Sequence, residues 1–132
     1  MASTELDTIV FNAIYNAVST SYESADFSGH YVPQPPSFPH VQVWKESDTV
    51  ALRDMTLSGT ECFSTVIYHV EVFDNEIDGG GMQNVDAICE IINNVMLSLG
   101  FRRTYSAPVP NFEDASVYRK VQRYSRKQEN TL

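Results

Sequence analysis

The sequence predicts an α+β domain of two helices and about four strands, and three observations carry that prediction. Two stretches, one starting near Leu6 and one at Val85, repeat apolar residues at three- and four-residue spacing. Residues 40–45, 61–73, 101–105 and 116–126 read as extended segments set off by turn and loop residues. The whole chain is 132 residues with 42% hydrophobic content, which suits one core and a single domain over residues 1–132.

The first helix has Leu6, Ile9, Val10, Ala13, Ile14, Ala17 and Val18 on one stripe. Thr4 with Asp7 forms a capping-box-like start, and residues 19–21 end the pattern. Residues 20–39 read as a loop-rich spacer. Pro33, Pro35, Pro36 and Pro39 remove backbone donors, and Tyr22, Phe27, Tyr31 and Phe38 are interleaved with them.

The first strand, 40–45, is expected to end in a turn at Glu46, Ser47 and Asp48. Residues 49–58 fit neither period and read as a partial strand or extended loop. In the long strand, Val66, Tyr68, Val70 and Val72 share one face; Ile67, His69, Glu71 and Phe73 share the other. Both faces are partly apolar, which predicts a central strand covered by helices on at least one side.

A loop with Asp74, Glu76, Asp78 and Gly79–Gly80–Gly81 leads to the second helix, 85–100. Asn84 is placed to cap it, Asp86 in its first turn, and Gly100 as its stop. A strand opening with Arg102 and Arg103 follows, then a proline-bearing loop over 106–115, then the last strand. Residues 127–132 read as a frayed, flexible tail.

Charge is unevenly spread over a net of −8. Residues 1–100 hold 14 acids and only Lys45 and Arg53 as bases, net −12; residues 101–132 hold seven bases and three acids, net +4. The overall sign argues against tight nonspecific nucleic-acid binding. The asymmetry suits copies that meet head to tail, although an ordinary solvated surface gives the same tally. The N-terminus has no basic segment followed by an apolar block, and no apolar run is long enough for a bilayer, so folding in the cytoplasm and no membrane partner are expected. Cys62 and Cys89 are read as small hydrophobes; their spacing alone leaves a disulfide open.

Candidate chemistry is sparse. Asp74, Glu76, Asp78 and Gly79 match the start of a calcium-binding loop, but the position that needs a bidentate Glu is Val85. The glycine run before a helix lacks the Gly-Lys-Ser/Thr of a phosphate loop, and the acids upstream repel anions. His30, His40 and His69 share no metal-ligand spacing with each other or with the cysteines, so no metal or cofactor is expected. No nucleophile elbow or catalytic triad pattern is present, which makes an enzyme the weaker expectation. The last strand splits Arg119 and Arg123 from Lys120 and Arg126 on opposite faces, which disfavours a single nucleic-acid platform.

The second half, an apolar helix closing in Leu99–Gly100–Phe101–Arg102–Arg103 and then PVPNFEDASVYRKVQRY over 108–124, resembles the tail-terminator (tail-completion) and related minor structural proteins of long-tailed bacteriophages. The first helix, proline loop and HVQVWK strand suit the same order of elements. The resemblance implies an antiparallel or mixed sheet with both helices on one face. It also implies a structural virion protein of the tail or neck, assembled in the host cytoplasm, and not an enzyme. Its copies would form a hexameric ring that ends tube polymerisation, touching the tail tube protein below and the head connector or completion protein above. DNA would pass through the lumen without sequence-specific binding, and an acidic wall would limit adhesion. Arg102, Arg103, Arg119 and Arg123 are the expected interface cations, with acidic partners among Asp74, Glu76 and Asp78 and contact through Gly79, Gly80 and Gly81. Another neck or head-completion component is the alternative. A small cation-binding module or enzyme using the Asp74–Asp78 loop is the alternative from a different class.

Overall fold

The apolar stripes of both helices land on the same face of one sheet. The computed structural model describes residues 3–30, 32, 37–50, 61–75, 81–109 and 117–131. Helix α1 spans Ser3–Ser21, strand β1 Asp26–Ser28, β2 His40–Val50, β3 Glu61–Asn75, helix α2 Met82–Ser98, β4 Arg102–Pro108 and β5 Val117–Thr131. The strands form one sheet in the order β1-β2-β3-β5-β4. Among the described strands only β1 and β2 run parallel; the other neighbours are antiparallel. The α+β class and the central place of β3 are as the sequence predicts.

Leu6, Val10, Ile14 and Val18 of α1 and Val85, Ile88, Ile92 and Met96 of α2 are buried against Val41, Val43, Val66, Tyr68, Val70 and Val72. At about 1.5–3 kcal/mol for each buried aliphatic side chain, this packing outweighs any single cap or surface ion pair. It is what holds both helices to the sheet. Across that core the Tyr68 hydroxyl donates to Asp7 Oδ1 at 2.5 Å, and the Tyr68 and Phe101 rings meet edge to face with centroids 5.4 Å apart.

Several boundaries differ from expectation. The spacer over 20–39 contains a fifth strand, β1, whose Phe27 packs on Tyr15 and Phe11 of α1 at centroid distances of 4.8 and 6.4 Å. The expected turn at Glu46–Asp48 is instead a continuation of β2; a register shift between Lys45 and Ser47 takes up Glu46 as a bulge. Strand β4 runs on through Pro108, an edge position where proline's missing donor is harmless. Residues 127–131 extend β5 where a frayed tail was expected, because β3 supplies pairing partners as far as Thr131. The ambiguous stretch 49–58 is strand at Thr49 and Val50, and its remainder lies outside the described residues.

Helix α2 begins at Met82, three residues ahead of the predicted start, with Gly81 at the N-cap. Gly81 has φ 86°, a left-handed conformation that glycine adopts without a Cβ penalty. Asn84 is therefore inside the first turn, and Asp86 falls beyond it. The other end is as predicted. Gly100, also at φ 86°, donates its N–H to Leu97 O at 3.0 Å, and Phe101 donates to Met96 O at 2.9 Å. That pair of bonds is a Schellman closure, completed by the buried Phe101 ring. Arg126 of β5 adds a cation at the negative helix end, donating from Nη1 to Leu99 O at 2.8 Å.

Candidate functional site

The sheet face turned away from the helices buries ionisable groups that water would normally solvate. Alternation along the strands puts Trp44 of β2, His69, Glu71 and Phe73 of β3, and Arg119 and Arg123 of β5 on this face. Trp44, His69 and Arg123 stand opposite one another across three adjacent strands, and Tyr105 of β4 stands opposite Arg123. Their flat groups lie against their neighbours: the Trp44 and His69 rings stack at 4.3 Å, and the Arg123 guanidinium sits 5.0 Å from the Tyr105 centroid.

Glu71, only 2% exposed, is the centre of the network. Arg119 donates from Nε to Oε2 and from Nη2 to Oε1, both at 3.0 Å. His69 Nε2 lies 2.8 Å from Oε1. The other ring nitrogen of His69 is 3.6 Å from Glu46 Oε1, which accepts from Arg123 Nε at 3.2 Å. Basic and acidic side chains thus alternate as Arg119, Glu71, His69, Glu46, Arg123, with the imidazole between two carboxylates. Burial pushes the Glu71 carboxyl up, but the hydrogen bonds from His69 and Arg119 and their positive charge outweigh it. The group is held below its ordinary range as a carboxylate.

Arg119 and Glu71, and Arg123 and Glu46, already face an opposite charge within the chain. The arrangement fixes side chains rather than presenting a proton donor or acceptor to a bound molecule. Trp44, Tyr105 and Arg123 are residue types that carry much of the binding energy at protein interfaces, and here their geometry is set beforehand.

The sequence-predicted residues divide. Arg119 and Arg123 are brought together on this face, but their acids are Glu71 and Glu46 rather than the loop acids. Asp74 is 3% exposed and acts inside the chain as a clamp on the start of α2. Its carboxylate accepts from Asn75 N at 2.9 Å, Gly81 N at 3.2 Å and Asn84 Nδ2 at 3.0 Å. Glu76, Asp78, Gly79 and Gly80 lie outside the described residues. Arg102 and Arg103 are exposed on β4, an edge strand, with Arg103 3.8 Å from Glu90. Glu46 was expected in a turn, and Glu71 only as one residue of a strand face. The one signal for Glu71 was an acid flanked by His69 and Phe73 on a strand with few other charges.

A second feature lies on the helix-bearing side of the sheet. A groove of about 340 Å3 opens between α1 and β2, lined among others by Asp7, Thr8, Phe11, Gly29, Lys45 and Tyr68. Asp7 Oδ1 on its wall is 3.4 Å from Lys45 Nζ and accepts the Tyr68 hydroxyl. Among the described residues, no group of three or more His, Cys, Asp and Glu side chains is placed to hold a metal ion. No helix among them is long and apolar enough to cross a membrane. In comparisons with known proteins, no family model matches the chain, and no curated protein matches it significantly.

Proposed function

We propose that this chain is a structural virion subunit of a long-tailed phage, one copy of a ring at the head-proximal end of the tail tube. The ring ends tube polymerisation and gives the head connector a joining surface. The observation that carries this reading is the division of labour across the sheet. Both helices are spent on one face, and the other face is a preset array of Trp44, Tyr105, Arg119 and Arg123 whose charges are balanced within the chain. That is a surface for fitting against other proteins, not a centre poised for proton or group transfer. The α+β frame with both helices on one face agrees with what the tail-terminator resemblance implies.

The burial of Asp74 weakens the cation-binding alternative, since its carboxylate is already occupied by Asn75, Gly81 and Asn84. Gold-labelled antibody against this protein, applied to purified tails and viewed by electron microscopy, tests the assignment. Label at one end of each tail is expected. Label along the tube, or none on tails, overturns it.

A further inference from the structure

The geometry points to a binding site for a neutral, polyhydroxyl ligand the size of one sugar ring, at the end of the sheet where α2 begins. It stands apart from the tail-end reading. A cavity of about 300 Å3 opens there, and its lining draws on several parts of the chain. Tyr22 and Ser24 follow α1, Phe38 precedes β2, Asp74 and Asn75 close β3, and Asn84 lies in the first turn of α2. That volume is at the small end for a ligand site and suits a single ring.

The polar wall is preset. Asp74 Oδ1 accepts from Asn75 N, and Oδ2 accepts from Gly81 N and Asn84 Nδ2. A carboxylate has about four acceptor positions, so one is left on Oδ1. Asn84 uses one N–H on Asp74; its second N–H and its Oδ1 have no hydrogen-bond partner among the described residues. An acceptor thus stands beside an amide that both donates and accepts. Neighbouring hydroxyls, each a donor and an acceptor, match that pair. Tyr22 and Phe38, both half-buried, add aromatic surface for the C–H faces of a sugar ring. Charge in the lining excludes other small ligands. The described lining has no Lys, Arg or His, so a phosphate or carboxylate would meet Asp74 without a counter-charge. A hard cation needs several oxygen ligands, and Asp74 has one free position to turn to it.

The test is titration of the isotope-labelled full chain with D-glucose, D-galactose, D-mannose and N-acetyl-D-glucosamine, followed by amide NMR, with thermal melts to confirm that each variant folds. Saturable shifts at millimolar sugar, centred on Ser24, Asn75 and Asn84, are expected with at least one of them. Ser24→Tyr enters the cavity from an exposed position and is expected to abolish those shifts. Phe38→Ala removes an aromatic wall and is expected to weaken binding about tenfold. No saturable shift with any of these sugars overturns the inference, as does binding that both variants leave unchanged. Equal or tighter binding of inorganic phosphate would make this an anion site, and binding of adenosine but of no sugar would make it a base site; either result overturns the inference. Labelling of tail ends judges the ring reading separately, so the two can fail independently.

Discussion

Arg119 grips Glu71 with two parallel hydrogen bonds, each 3.0 Å long, from one strand to its neighbour near the middle of the sheet. The Glu71 side chain is 3% exposed and that of Arg119 24%. Breaking a buried pair of this kind strands a charge away from water, which costs about 3–5 kcal/mol. Arg119→Met should therefore lower unfolding stability by about 3 kcal/mol in urea titrations, with the slope unchanged. A loss below about 0.5 kcal/mol would place the pair with weak surface bridges.

The same pair fixes the sign of an acid dependence. Glu71 has a folded pKa below its ordinary 4.5, so below that value the unfolded chain binds the extra proton first. The stabilisation is fully present above about pH 4.5 and is lost as pH falls through the lower folded pKa. Glu71→Gln should flatten this part of the stability profile when melting is followed from neutral to acidic pH. An unchanged acid limb would mean that other carboxylates govern it.

Gly100 is the next point of control. Its φ of 86° is left-handed, and a Cβ there would lie 3.4 Å from Cδ of Arg126. Gly100→Ala should cost about 1–2 kcal/mol from backbone strain, measured by chemical denaturation. Replacing Arg126 with Ala removes the contact to Leu99 O and should act in the same direction.

Cys89 should be chemically quiet. Burial against α2's core neighbours pushes its thiol up to about 12, so little thiolate exists at neutral pH. Alkylation followed by peptide mass spectrometry should show Cys89 unmodified in the folded chain and modified in denaturant. Rapid labelling under native conditions would contradict its burial.

Asp74 offers a test of the loop clamp. Asp74→Ala removes the acceptor for Gly81 N–H and Asn84 and should destabilise by about 1–2 kcal/mol. Calcium should leave the melting of the unaltered chain unchanged; a large calcium-dependent rise would restore the cation-binding alternative.

Periodicity read most of this fold because packing decides it. Leu6, Val10, Ile14 and Val18 of the first stripe and the Val66–Tyr68–Val70–Val72 face are buried as their spacing required, whereas Ile9, placed on the same stripe, is 38% exposed. Strand β1 escaped because three residues show no period, and its reason for existing is the distant Phe27 contact with Tyr15 and Phe11. Continuation of β2 through Glu46 escaped because a bulge breaks alternation while the ladder goes on. The site was legible only in part. Arg119 and Arg123 could be placed on one strand face, but their partners Glu71 and Glu46 come from 48 and 77 residues away. Nothing local marks such a pairing. Asp74 looked like a free acid because its role depends on where α2 starts, and that start was set by Gly81 rather than by Asn84.

Strand β5 lies between β3 and β4 in the sheet yet follows both in the chain. On the ribosome, β4 would emerge beside α2 but without its described strand partner, and the flank of β3 would wait open until residues 117–131 appeared. A nascent chain stalled before Val117 would hold two separated pieces of sheet and an unclosed charge network lacking Arg119 and Arg123. Closure of the sheet thus waits on residues 117–131, which join β3 to β4.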